Sequence, residues 1–313
     1  MTLHISAIVG GSAYQVSDRL ASVNADPWDT TWNKTIVFRT MDALVAIGLT
    51  GPAFVGRRPI DEWMAEVLFD GKIPSGTMFT GRPGGMLRRG LTASLRKVES
   101  GLREAVITGL LPPRDRVGAS IVGWRIQGRR VRVCALTLEW DPGGRPFFQR
   151  KTRRVHSFAG LGANPSSWVT LARLEALRLS VEAVSSDTER EDLMIQYLRE
   201  VSRAGHPVGP DAMCVRISVK RPFPRIRFAP GDAIAGDFAH DDSGSTYSAP
   251  VIYTPAIVTP SCAQLACVAT GPPAENLDGF RIDWDLPRMP PPQIGKEGGV
   301  DWRIEGQPRK PRP

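Results

Sequence analysis

Residues 3 to 18 hold the pattern that most limits the fold. Leu3, Ile5, Ala7 and Val9 fall on one side of an extended chain and His4, Ser6 and Ile8 on the other, the period of a strand with two different faces. Gly10-Gly11 then supplies a two-residue hairpin turn, so Ala13 to Asp18 is expected to return antiparallel to the first strand. That return carries Asp18 back beside Thr2. His4 is placed on a strand face near an edge, as a structural or exposed side chain. A second hairpin is expected from Lys34–Arg39 and Asp42–Ile47, with Lys34 opening its first strand and Ala46 on a pocket floor. Residues 21 to 33, rich in Asn, Asp, Pro and Thr, read as a loop carrying Trp28 and Trp32.

Thr2, Asp18-Arg19, Lys34 and Gly48-Leu-Thr-Gly51 follow one another at regular intervals, with Asp18 sixteen residues after Thr2 and Lys34 sixteen further on. In types and spacing this segment resembles the start of an N-terminal-nucleophile hydrolase, a bacterial relative of the proteasome β-subunit. The resemblance runs without a gap over about fifty residues and continues in weaker form to about residue 220. It implies an α+β fold, a four-layer αββα sandwich, with Thr2 as nucleophile once Met1 is removed. It also implies homo-oligomers, commonly rings, with a peptide or protein substrate and no metal or organic cofactor.

Chemistry gives a reason for those residue types. A threonine hydroxyl needs a base, and an N-terminal threonine carries one on its own α-carbon. That amine titrates near pH 8 in peptides, about 7.7 to 8.0, so part of it is neutral at physiological pH. A nearby ammonium, here Lys34, lowers the proton affinity of amine and hydroxyl, and a buried carboxylate, here Asp18, keeps the ammonium charged. Attack on an amide needs donors for the oxyanion. A glycine backbone N–H is unobstructed, which makes Gly48 the candidate.

Downstream, helices are expected over 59–69, with Pro59 first and Ile60, Trp63, Met64, Val67 and Leu68 buried while Asp61, Glu62 and Glu66 face outward, and over 86–107, striped by Leu87, Leu91, Leu95, Val98 and Leu102. Strands are expected over 119–126, 132–140 and 153–158, with Asp141 to Gly144 as a turn. Two more helices, 166–184 and 187–204, follow, the second opened by the capping-box pair Ser186 and Glu189. The family's assisting serine has no match in the glycine-rich stretch Ala159–Ala163, where Ser157 stands just before it. Asp211 falls too late for the family's closing aspartate. These departures point toward a divergent or inactive member.

The segment 1–228 is read as the hydrolase domain, and 229–313 as an extension with short strands at 251–258 and 263–269 and a proline-rich, partly disordered tail. Hydrophobic content of 42% and charge of 23% are those of a globular protein. No apolar run is long enough to span a membrane and no secretory signal is seen, which sets a cytoplasmic expectation. Cys134, Cys214, Cys262 and Cys267 lack metal-ligand spacing. The net charge of +8 invites a nucleic-acid reading. The basic residues are scattered, however, and no zinc-finger, RNP-like or recognition-helix pattern accompanies them, which argues against specific recognition. Non-specific nucleic-acid binding is the weakest reading. The leading one is a threonine hydrolase of peptide or amide bonds. Its alternative is a non-catalytic subunit of the same fold acting as a scaffold or binding protein.

Overall fold

The computed structural model describes residues 2–23, 26–29, 32–74, 79–82, 84–127, 130–140, 147–149, 155–159, 168–206, 208–219, 224–229, 237–240, 246–249, 251–265, 268–270 and 280–283. In chain order its elements are β1 (Leu3–Val9), β2 (Ser12–Asp18), β3 (Ala21–Val23), β4 (Asp26–Asp29), β5 (Thr35–Arg39), β6 (Ala43–Thr50), β7 (Phe54–Val55), β8 (Arg58–Pro59), α1 (Ile60–Phe69), β9 (Thr80–Gly81) and α2 (Leu91–Ile107). There follow β10 (Val117–Gln127), β11 (Arg130–Trp140), β12 (Phe147–Gln149), β13 (Val155–Ala159), α3 (Leu171–Ala183), α4 (Asp187–Arg203), β14 (Ala212–Ser218) and β15 (Pro224–Ala229). The remainder holds β16 (Asp237–His240), β17 (Thr246–Ala249), β18 (Val251–Tyr253), β19 (Ala256–Val258), β20 (Cys262–Gln264), β21 (Val268–Thr270) and β22 (Phe280–Asp283).

The N-terminal hairpin forms as its alternation predicts. Gly10 and Gly11 take φ of 61° and 84°, the left-handed pair that a tight hairpin turn needs and that glycine adopts without strain. Around it grows a six-stranded sheet in the order β13-β1-β2-β14-β15-β22. The second hairpin nucleates an eight-stranded sheet, β12-β11-β10-β6-β5-β19-β20-β9. Its pairings are antiparallel except for β19, which lies parallel to β5 with Ile257 opposite Val37.

Three apolar clusters fix how these elements stack. Ile36, Phe38, Ile47, Ile121 and Leu138 of the eight-stranded sheet pack with Met64 and Leu68 of α1 and Leu95 and Val98 of α2. Leu3, Ile5, Val16 and Cys214 of the six-stranded sheet pack with Val181 of α3 and Met194 and Leu198 of α4. A third cluster, with Ala13, Val37, Ala46, Val122, Val215 and Phe228, joins the two sheets face to face. Each fully buried large apolar side chain contributes about 1.5–3 kcal/mol, so truncating one at a sheet centre is costly.

Several expectations shift by local chemistry. The stretch 21–33 is not all loop, because β3 and β4 pair as a short ribbon with an irregular register. Helix α1 starts at Ile60 with Pro59 as its N-cap, and ends at Asp70 in the left-handed conformation, φ 65°. Asp61 and Glu66, expected outward, are buried, because each satisfies donors from elsewhere: Asp61 accepts from Asn33 Nδ2 at 3.2 Å and Glu66 accepts from Ile73 N–H at 2.9 Å. Helix α2 begins five residues later than its apolar stripe suggests, at Leu91, whose N–H donates to Asp42 Oδ1 at 2.8 Å. Ser186 caps α4 through Glu189 N–H at 3.5 Å. The expected turn at Asp141–Gly144 and the chain after Asp283 lie outside the described residues. Beyond residue 229, β19 and β20 are strands of the eight-stranded sheet and β22 is an edge strand of the six-stranded one. Among the described residues no helix is long and apolar enough to cross a membrane.

Candidate active site

Antiparallel return of β2 on β1, with His4 opposite Ser17, brings the end of β2 to the start of β1. Asp18 and Thr2 are therefore neighbours in space although sixteen residues separate them. Asp18 is fully buried and lies among four donors. Its Oδ1 accepts Leu3 N–H at 2.8 Å, and its Oδ2 accepts Lys34 Nζ at 2.7 Å, Leu20 N–H at 3.3 Å and Gly209 N–H at 3.4 Å. A carboxylate that holds three backbone donors and one ammonium is fixed from every side, and an unpaired buried carboxylate would be costly. Arg19, buried rather than a surface partner, stacks its guanidinium 5.4 Å over the Phe228 ring and donates its backbone N–H to Asp211 O at 3.1 Å.

Lys34 immediately precedes β5 and is buried too. Burial lowers its pKa from the ordinary lysine value, against the pull of Asp18, which favours the ammonium. Thr2, 7% exposed, and Lys34 line one cleft with Leu20, Ala21, Trp32 and Thr50. The cleft encloses about 420 Å³, part of it open to solvent. Trp32 forms part of its wall and meets Phe54 edge to face at 5.3 Å. Asn33 is buried beside the lysine and donates to Asp61 Oδ2 at 3.2 Å and Thr254 O at 3.4 Å, tying the site to α1 and to the strand β19 that follows.

Gly48 occupies a different place from the one expected. The strand β6 runs on to Thr50, so Gly48 sits inside it, opposite Thr35 on β5 and Ser120 on β10, and the bend comes at Gly51, φ 118°. Leu49 N–H donates to Lys34 O at 2.7 Å. Alternation in an antiparallel ladder therefore turns the Gly48 N–H the other way, toward β10. What requires glycine at 48 is the His4 ring: a Cβ built there would lie 2.4 Å from His4 Nδ1. Ala46, expected on a pocket floor, is instead packed between the sheets with Val37 and Val215.

His4 is the residue that sequence reasoning undervalued. Strand β1 lies between β13 and β2, so it is not an edge, and His4 is wholly buried with Nε2 3.0 Å from Leu49 O. Burial lowers its pKa to about 4, which leaves the ring neutral at physiological pH. The neutral ring then donates from Nε2. A lone glycine inside an apolar strand signals close approach by another group, and Gly48 was that signal. Polar contacts continue the seam between the sheets, from Ser17 Oγ to Thr35 Oγ1 at 3.3 Å and from Ser6 Oγ to Ser120 Oγ at 3.2 Å.

Ser157 pairs with Ile5 in the β1–β13 ladder, while the glycine-rich residues 160–163 and the side chains of Ser157 and Trp28 lie outside the described residues. Asp211 reaches the site through its carbonyl, which accepts Arg19 N–H. The loop after α4 reaches Asp18 by Gly209 N–H, a backbone contact that no side-chain motif would reveal.

No family model matches the chain, and no curated protein matches it. Among solved structures it is similar to Anbu from Hyphomicrobium sp. strain MC1 in its C2 crystal form, at 12% identity and a TM-score of 0.43, over 69% of this chain and 82% of that one. It is also similar to the Gly-1 mutant of Anbu from the same strain, at 13% identity and a TM-score of 0.42, over 69% of this chain and 80% of that one.

Proposed function

We propose that the chain is a threonine-type N-terminal-nucleophile hydrolase that cleaves peptide or amide bonds after removal of Met1. The observation that carries this reading is the Lys34–Asp18 ion pair, 2.7 Å long and buried, with its lysine on the same cleft as Thr2. The stacking of α1 and α2, one sheet, the other sheet, then α3 and α4 supports assigning the chain to the αββα sandwich of that family. In this reading the freed α-amine takes the proton of Thr2 Oγ as the oxygen bonds to the substrate carbonyl carbon. The ammonium of Lys34 keeps the amine's pKa low, and Asp18 holds the lysine in place. The tetrahedral intermediate expels the amine leaving group, which receives the proton. Water then hydrolyses the Thr2 ester and restores the hydroxyl. Gly48 N–H has no part in this scheme because it points along the sheet.

A non-catalytic scaffold of the same fold is favoured by one observation, the engagement of Gly48 in the ladder where the family's oxyanion donor is expected. Intact mass, N-terminal sequencing and treatment with an electrophile that traps N-terminal threonines separate the two. Loss of one methionine with an adduct on Thr2, abolished in Thr2→Ala, is the outcome expected for the hydrolase. Retained Met1 with no adduct leaves the scaffold.

A further inference from the structure

Four hydrogen bonds close a circuit through both sheets. Asp18 Oδ1 accepts from Leu3 N–H at 2.8 Å, and Asp18 Oδ2 from Lys34 Nζ at 2.7 Å. Lys34 O accepts from Leu49 N–H at 2.7 Å, and Leu49 O accepts from His4 Nε2 at 3.0 Å. His4 follows Leu3 in the chain, so the loop ends where it began. Strands β1 and β2 of one sheet are thereby linked to β5 and β6 of the other by a path that passes through the Lys34 backbone and its ammonium. We propose that His4 is a positioning residue of the Thr2 cleft, its ring wedged on Gly48 and bonded to Leu49 so that Lys34 is held in reach of Asp18.

The wedge is specific to its seat. The ring occupies the volume that any side chain at position 48 would claim, with Nδ1, Cε1 and Cγ all within 2.9 Å of a Cβ placed there. Nδ1 has no hydrogen-bond partner among the described residues, so Nε2 carries the ring's polar anchorage. Bonds between elements that belong to different sheets are what fix sheet separation locally, since the apolar cluster of Ala46, Val37 and Val215 is non-directional. Without the ring, a void opens beside Gly48 and the Leu49 carbonyl loses its cross-sheet donor. Movement of β6 would then be passed to Lys34 through the Leu49–Lys34 bond.

The inference rests on the Thr2–Lys34–Asp18 reading of the cleft, and its test reads Lys34 directly rather than turnover. In the full chain carrying 13Cε-lysine, the Lys34 resonance, assigned with Lys34→Met, is titrated in the native protein, in His4→Leu and in His4→Gln. Circular dichroism establishes that each is folded. Gln can reach Leu49 O with an amide N–H, whereas Leu cannot donate. A Lys34 midpoint displaced by about one unit or more in His4→Leu and returned by His4→Gln is the expected result. A folded His4→Leu with an unmoved midpoint overturns the proposal. Should His4→Leu not fold, the 15N shifts of the native imidazole decide. The neutral Nε2–H tautomer is required, and a neutral Nδ1–H ring refutes the circuit. The electrophile reaction at Thr2 is read separately, so an unreactive Thr2 beside a displaced Lys34 removes the hydrolase and leaves His4 as the positioning group.

Discussion

Lys34 Nζ lies 2.7 Å from Asp18 Oδ2, and both side chains are buried. The two partners are not equivalent. Asp18 also accepts three backbone N–H groups, of Leu3, Leu20 and Gly209. Breaking a buried pair by removing one member costs about 3–5 kcal/mol. Lys34→Met leaves a carboxylate that still has its backbone donors, whereas Asp18→Ala leaves a buried ammonium and orphans those donors as well, at about 1–3 kcal/mol each where water cannot reach them. Asp18→Ala is therefore expected to destabilise the fold by more than Lys34→Met, by at least about 1 kcal/mol. Urea unfolding of both variants measures the difference, and an equal or inverted order would refute the account of Asp18 as the hub.

Much of this geometry can be read in the sequence, and the part that cannot has a common cause. Alternation at Leu3 to Val9 with Gly10-Gly11 fixes the first hairpin, and with it the approach of Asp18 to Thr2, because the information is local. Ser186 and Glu189 announce α4 for the same reason. The start of α2 is hidden because its cap, Asp42, lies 49 residues away from Leu91. The parallel addition of β19 to β5 has no local signature, since Ala256 to Val258 is too short to state its partner. The structural reading of His4 holds but its edge placement does not, because strand alternation assigns a residue to a face without saying that other strands flank and cover it.

Acid should weaken the fold through His4. Its pKa is lowered by burial from 6.5 to about 4 in the native state. The unfolded chain therefore binds a proton at this residue over a range where the native state does not, and stability falls as pH drops from 6.5 toward 4. Below the native midpoint both states are protonated and this loss is complete. The shift corresponds to about 3 kcal/mol. His4→Gln removes the titration, so urea midpoints measured from pH 7 to pH 4 should fall less steeply in that variant than in the native chain. Parallel curves would show that His4 is not the group responsible.

The remote cap of α2 should be measurable on its own. Asp42 accepts from Leu91 N–H at 2.8 Å, from Thr40 Oγ1 at 2.8 Å and from Arg125 Nε at 3.0 Å. Burial alone would raise its pKa, yet these hydrogen bonds and the Arg125 charge lower it below the ordinary carboxylate value. Asp42→Ala is expected to cost about 0.5–2 kcal/mol, as for loss of an N-cap. Amide exchange should accelerate in the first turn of α2 and leave α4, which has its own Ser186 cap, unchanged. Uniform acceleration across both helices would mean that Asp42 acts globally rather than as a cap.

Gly48 and His4 should be coupled with a change of sign. Glycine inside a strand ordinarily costs about 0.5–1 kcal/mol relative to alanine, through the freedom it loses on folding. At position 48 that gain is unavailable, because the new Cβ would sit 2.4 Å from Nδ1 of a fully buried ring that has nowhere to retreat. Gly48→Ala in the native background is therefore expected to destabilise by about 1–3 kcal/mol, the usual cost of overpacking. His4→Ala empties the seat, and the same Gly48→Ala change made in that background should be neutral or slightly stabilising. The difference between the two backgrounds is the coupling energy of a double-mutant cycle, read from urea unfolding of the four proteins. A Gly48→Ala penalty that persists undiminished without the ring would place the need for glycine in the backbone of β6 and not in its contact with His4.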